Sequence, residues 1–167
     1  ENSISGAVDK IYDATVTVAT YKDGKAVSTG TGFVYTKEGS TAYIMTNNHV
    51  VDGADKVEVV MSNNETVEAT ILGKETYSDI AVLSINKDKV LSVLEIGDNS
   101  KMKLGDTVFT IGAPMGLEYS GTVTKGILSG KDRMVEVSFS GSTSDYYMKV
   151  LQTDAAISPG NSGGPLL

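Results

Sequence analysis

Three residues that together can activate a hydroxyl group occur in this chain in the order His49, in TNNHVVDG, Asp79, in YSDIAVLSI, and Ser162, in GNSGGPLL. A serine hydroxyl is a poor nucleophile at neutral pH. It needs a base to take its proton, and an imidazole acting as that base needs a carboxylate to hold its tautomer and stabilise its positive form. His49 is the only histidine of the chain. Taken singly, each residue has a plainer explanation: a lone histidine at a strand end usually satisfies a local hydrogen bond, and an aspartate opening an apolar strand is ordinary turn chemistry. Ser162 decides between the two explanations. Gly160, Gly163 and Gly164 around it let the backbone turn sharply and approach a bound group closely, so that Ser162 and the neighbouring amides face one carbonyl carbon.

Such residues need a frame, and the sequence supplies one made of strands. An amphipathic opening, SISGAVDKIYDA, has Ile4, Val8 and Ile11 at helical spacing and predicts a helical turn or two. Six short apolar or alternating runs follow: TVTVATY, GTGFVYT, TAYIMT, KVEVVM, TVEATILGKE and DIAVLSI. After the connector NKDKVLS and the turn-rich IGDNSKMKLGD, a second set contains TVFTIGA, TVTKGILSG, MVEVSFS and YYMKVLQT. Glycine, Asn or Asp separates most of these runs, which predicts two successive antiparallel barrels or sheets with a boundary near residues 95–105. There is no internal repeat and no low-complexity tract.

Composition narrows the class further. The 167 residues are 40% hydrophobic, enough to bury a core, and 18 glycines against three prolines suit many glycine-turned strands. A net charge of -7 without a dense Lys/Arg run argues against a nucleic-acid partner or an anionic lipid surface. With no cysteine there is neither a disulfide framework nor a thiolate metal site, and a single histidine leaves zinc without a ligand set, so no metal and no cofactor are expected. No apolar run reaches the roughly 18 residues needed to span a bilayer.

On four stretches, GTGFVY, TNNHVV, SDIAVL and LQTDAAISPGNSGGPLL, the sequence resembles the trypsin-like serine proteases of the HtrA (DegP, DegS) family, from near residue 30 to the last residue. The chain order His, Asp, Ser and the missing G-x-S-x-G elbow separate it from the subtilisin and α/β-hydrolase arrangements. The resemblance implies an all-β fold of two six-stranded antiparallel β-barrels of the chymotrypsin type. Residues 1–95 would hold the N-terminal segment and the first barrel, and residues 96–167 the second barrel, incomplete at its C-terminus because members continue past the serine motif and then usually carry PDZ domains. It implies Ser162 as nucleophile, His49 as general base and then acid, Asp79 as orienting carboxylate, and an oxyanion hole of the Gly160 and Ser162 N–H groups. Ala156 stands where trypsin places its specificity aspartate. With Ile157 beside it, a small apolar pocket favouring aliphatic residues is expected.

Asn161 stands where digestive and clotting proteases have an aspartate that pairs with a freshly cut N-terminus. Ordering of active-site loops is therefore the expected switch, with residues 112–126 and 140–147 as candidates. The family also implies an extracytoplasmic endopeptidase cutting unfolded or misfolded polypeptides in bacterial protein quality control and stress response, a homotrimer to which Tyr12 and Tyr21 are candidate contributors, and a membrane anchor outside this chain. The alternative is a peptidase-inactive, chaperone-like or peptide-binding form of the same domain.

Overall fold

The structure is a computed structural model and describes residues 4–113, 117–138 and 145–167. It opens with helix α1 (Ile4–Tyr12), whose Val8 and Ile11 are half-buried while Ser5, Gly6, Ala7 and Asp9 face solvent. Six strands follow: β1 (Thr15–Lys22), β2 (Lys25–Glu38), β3 (Thr41–Thr46), β4 (Lys56–Val60), β5 (Thr66–Glu75) and β6 (Ile80–Asn86). They form a closed antiparallel barrel in the order β1-β2-β3-β6-β5-β4, with β4 pairing back onto β1. Register shifts at Thr20/Tyr21, Val34/Thr36 and Ile71/Gly73 mark bulges, which bend strands and add the local twist that closure requires.

Alternation along the strands fills this barrel. Val16 and Val18 of β1, Ile44 of β3, Val57 and Val59 of β4 and Leu83 and Ile85 of β6 join one buried core, each such side chain contributing on the order of 1.5–3 kcal/mol by leaving water. The intervening threonines of β1 are buried too, on the outer face, because the second sheet lies there: Thr17 shares a 2.6 Å hydroxyl–hydroxyl hydrogen bond with Ser120.

The second sheet has β7 (Thr107–Gly112), β8 (Thr122–Ser138) and β9 (Asp145–Thr153), in that order. Two runs that the sequence presents separately, TVTKGILSG and MVEVSFS, are one long strand here. The first half of β8 pairs with β7 and the second half with β9, and the change of partner coincides with register shifts around Gly130 and a left-handed Asp132 (φ +55°). Residues 166–167 add to the free edge of β7 through paired backbone bonds of 2.9 Å between Phe109 and Leu167. The fold is therefore all-β, with one closed six-stranded barrel and a second sheet that is not closed among the described residues. Of the two loop stretches expected to act as a switch, residues 114–116 and 140–144 lie outside the described residues.

Candidate active site

His49 sits in a single helical turn, α2 (Asn48–Val51), that follows β3 directly. Asn48, Val50 and Val51 are buried, so the turn is anchored by its apolar face and His49 is left on the exposed one, its side chain 57% exposed. Asp79 immediately precedes β6, the strand that pairs with β3, so adjacent strand ends bring the two residues together. The Asp79 carboxylate accepts from the His49 backbone N–H at 2.8 Å with one oxygen and bonds the ring Nδ1 at 2.5 Å with the other. The Asp79 carbonyl is held as well, by the Asn47 side-chain amide at 2.7 Å and the Asn48 N–H at 3.1 Å. Four bonds thus clamp a residue whose backbone is left-handed (φ +55°), a conformation aspartate tolerates better than most residues. They leave the imidazole Nε2 pointing away from the carboxylate, free to exchange a proton.

The approach to Asp79 is ordered by Glu75. Its carboxylate accepts from the Ser78 hydroxyl at 2.6 Å and from the N–H groups of Ser78 and Tyr77, and these bonds, the Ser78 hydroxyl first, hold it below the usual glutamate range. The Tyr77 ring meets Tyr146 of β9 edge-on at 5.2 Å between centroids, so the second sheet touches this turn.

Ser162 lies in the turn-rich segment after β9 and is half-buried. The segment is docked on the first barrel through β2. The Thr31 N–H donates to the Ser162 carbonyl at 2.8 Å, and the Thr31 hydroxyl donates to the Gly160 carbonyl at 2.8 Å. A side chain at Gly30 would stand 2.7 Å from Val50, in the turn that carries His49, and 3.1 Å from the Ser162 carbonyl oxygen. Gly163 is packed against Thr31, Thr46 and the Asn47 N–H. The serine loop and the histidine turn therefore meet over the same two residues of β2. The Ser162 hydroxyl itself has no hydrogen-bond partner among the described residues.

Within the loop, the Asn161 N–H donates to the Ser158 carbonyl and the Gly164 N–H to the Asn161 carbonyl, each at 3.0 Å. The N–H groups of Gly160 and Ser162 have no partner among the described residues. Two donors left unpaired at a sharp turn, with Gly160 at φ +101°, are what an oxygen that gains negative charge requires. Asn161 is buried and packs on Gly112 at the end of β7, with its Oδ1 unpartnered among the described residues. Ala156 and Ile157 lie on the same segment and are exposed, Ile157 at 60%, while the Ala156 carbonyl is fixed by the Thr124 hydroxyl at 2.8 Å.

A family model of the trypsin-like peptidase domain matches residues 30–167. The chain belongs to that family. Among curated relatives of this trypsin-like peptidase domain, the serine protease Do-like HtrB of Bacillus subtilis (strain 168) is 49% identical over 136 residues, covering 81% of this chain and 29% of the relative. The serine protease Do-like HtrA of Lactobacillus helveticus is 41% identical over 171 residues, covering 99% and 40%. Among solved structures, the serine endoprotease from Yersinia pestis superposes with a TM-score of 0.78 at 32% identity, over 100% of this chain and 54% of that one. An HtrA-type protease solved with a tripeptide gives 0.82 at 33% identity, over 99% and 50%. The peptidase domain is thus of the HtrA type, and the chain spans 29% and 40% of the length of these two curated relatives.

Sequence reasoning missed three residues that build the site. Asn47 and Asn48 stand beside His49 in TNNHVV, but nothing in one sequence says that both are spent on the Asp79 carbonyl. Thr31 lies in GTGFVY, far along the chain from Ser162, and only the folded barrel brings the two together.

Proposed function

We propose that this domain is a serine endopeptidase in which Ser162 attacks a peptide carbonyl, His49 takes the serine proton through Nε2 and returns it to the leaving amine, and Asp79 holds the imidazole. The observation that carries the reading is the double grip of Asp79 on His49, at Nδ1 and at the backbone N–H. That grip fixes the tautomer with Nδ1 protonated and stabilises the imidazolium formed during attack. The N–H groups of Gly160 and Ser162 then receive the oxyanion of the tetrahedral intermediate. Collapse of that intermediate expels the amine and leaves an acyl group on Ser162, and water, deprotonated in turn by His49, releases it. Ala156 and Ile157 form part of a shallow apolar pocket on the acyl side of the cut, so that aliphatic residues are preferred over Lys or Arg.

The substrates are unfolded or misfolded polypeptides, and the work is extracytoplasmic protein quality control in a bacterium, by a homotrimer held at the membrane through a segment outside this chain. The HtrA-type serine protease relatives support the proteolytic part of this reading, and the HtrA-type protease solved with a tripeptide supports a peptide as ligand. One observation favours the peptidase-inactive form as a second reading: the Ser162 hydroxyl is not bonded to His49. Such bonds often tighten only when substrate is in place, which keeps the active reading first. Incubating the full-length protein with casein separates the readings. The active reading expects cleavage that Ser162→Ala abolishes; cleavage that survives Ser162→Ala overturns it, and casein bound but not cut supports the second.

A further inference from the structure

Thr31 makes four hydrogen bonds at one buried point between the two sheets, and every one of them touches the geometry of the serine loop or its support. Its side chain and backbone are 1% exposed. Its N–H donates to the Ser162 carbonyl at 2.8 Å, and its carbonyl accepts from the Thr46 hydroxyl at 2.7 Å. Its hydroxyl accepts from the Ala113 N–H at 3.0 Å and donates to the Gly160 carbonyl at 2.8 Å. The direction of that last bond is forced. A hydroxyl has one proton, an amide N–H can only donate, and a carbonyl can only accept, so the Thr31 proton must go to Gly160.

The consequence is read along the loop, peptide by peptide. The Gly160 carbonyl is held by the Thr31 hydroxyl, the Asn161 carbonyl by the Gly164 N–H, and the Ser162 carbonyl by the Thr31 N–H. Three successive peptide planes are therefore fixed, two of them by one residue of the other sheet. The Gly160 and Ser162 N–H groups are left over: the Ser162 N–H lies in the Asn161–Ser162 plane, between the two planes that Thr31 holds, and the Gly160 N–H lies in the Pro159–Gly160 plane, joined to the first of them through the Gly160 Cα. Gly160 needs such a restraint because it is left-handed (φ +101°) and, lacking a Cβ, resists rotation of its peptides less than any other residue. The Ala113 bond ties the end of β7 to the same hydroxyl, so β2, β7 and the serine loop are locked together by one side-chain atom.

We infer that Thr31 is a positioning residue for the oxyanion hole: its hydroxyl and its N–H hold the Gly160–Asn161 and Ser162–Gly163 peptides, which flank the Ser162 N–H and adjoin the peptide of the Gly160 N–H, and so keep those two N–H groups converging on the reacting oxygen. This rests on the serine-peptidase reading above. Thr31 touches neither substrate nor the reacting atoms, so its effect should fall on kcat rather than KM, because the donors it orients act on charge that develops only in the transition state.

The test compares Thr31→Val, which keeps the shape and removes the hydroxyl, with Thr31→Ser, which keeps the hydroxyl, and with Thr20→Val as a control. Thr20 is equally buried and its hydroxyl also bonds a carbonyl, that of Ser28, but among the described residues it makes no hydrogen bond to the serine loop. In the full-length protein, with folding checked by circular dichroism, the rate of fluorophosphonate attachment to Ser162 and the peptide kcat and KM are measured for each. Thr31→Val is expected to lower kcat and the labelling rate by about 10- to 100-fold with KM within about threefold, below the full loss seen when a donor itself is removed. Thr31→Ser should restore most of the rate, and Thr20→Val should leave it unchanged. Parental labelling with an equal rate in Thr31→Val, or a Thr31→Ser as slow as Thr31→Val, overturns the inference and leaves the serine-peptidase reading standing. A parental protein that does not label at all overturns that reading and the inference with it.

Discussion

Replacing Gly163 by alanine should damage the serine loop more than any other single-methyl change in it. The backbone there is left-handed (φ +88°), which costs an L-residue roughly 1–2 kcal/mol, and an added Cβ would be driven into the Thr31 carbonyl oxygen and the Thr46 hydroxyl, with the Asn47 N–H at 3.1 Å. Two of those neighbours are backbone groups that cannot rotate away. The loop must therefore lift from β2 by on the order of 1 Å, a displacement that costs about 10²-fold in rate when reacting groups are involved. Lifting also breaks the Thr31–Ser162 and Thr31–Gly160 bonds, worth about 1 kcal/mol each in net terms. The total, about 3–4 kcal/mol, is divided between global stability and local detachment of the loop. Gly39→Ala isolates the backbone term, since Gly39 is also left-handed (φ +59°) but has open space around it in the β2–β3 turn. Peptide hydrolysis and thermal melts on both variants should show Gly163→Ala at least about 10²-fold slower than the parent, and Gly39→Ala losing only the 1–2 kcal/mol of strain, with activity intact. Gly163→Ala with parental kcat/KM and a melting shift no larger than that of Gly39→Ala would refute the close packing of this loop on β2.

Asp79→Asn should preserve the fold yet reduce kcat by about 10⁴-fold, as wrong-tautomer substitutions do in other serine proteases, and a kcat within tenfold of the parent would remove Asp79 from its assigned part. Glu75 should titrate below an ordinary glutamate in a carbon-13 NMR pH series, and Ser78→Ala should move its midpoint upward. Because the folded-state value is depressed, its stabilising effect is present above the unfolded-state value and is lost as pH falls through the folded one. Asn161→Asp places a carboxylate in a buried position whose Oδ1 has no partner, so it should destabilise the protein by about 3–5 kcal/mol when ionised. Burial raises the folded-state value of such an acid, so the loss should grow as pH rises from 4 to 8, and equal melting shifts at both ends would contradict it.

Much of the first barrel was legible because alternation is strong where one face of a strand is buried: TVTVATY and DIAVLSI read directly as β1 and β6. The second sheet was harder. Gly130 and Asp132 look like the turn between two strands, but they are a bend inside β8, since the strand keeps a partner on either side of it. The helix turn of His49 was also invisible, because four residues give no periodicity, and its existence depends on Val50 and Val51 being buried by the barrel. For the site, scarcity pointed to His49, which the fold bonds to Asp79 through both its N–H and its ring Nδ1. What a sequence does not carry is the support from another part of the chain: Thr31 reads as an ordinary strand residue until the fold sets it under Gly160 and Ser162. Ala156 and Ile157 rest on the trypsin-like position that the resemblance assigns to Ala156, and that position says nothing of what walls them.

The central claim is that His49, held by Asp79, activates Ser162. Treating the full-length protein with a fluorophosphonate and mapping the modified residue by mass spectrometry tests it directly, since the reagent reacts at speed only with an activated serine. Labelling confined to Ser162, lost in Ser162→Ala and slowed by several orders of magnitude in His49→Ala, is the predicted result. Labelling of a different residue, or an unchanged rate in His49→Ala, would contradict the account.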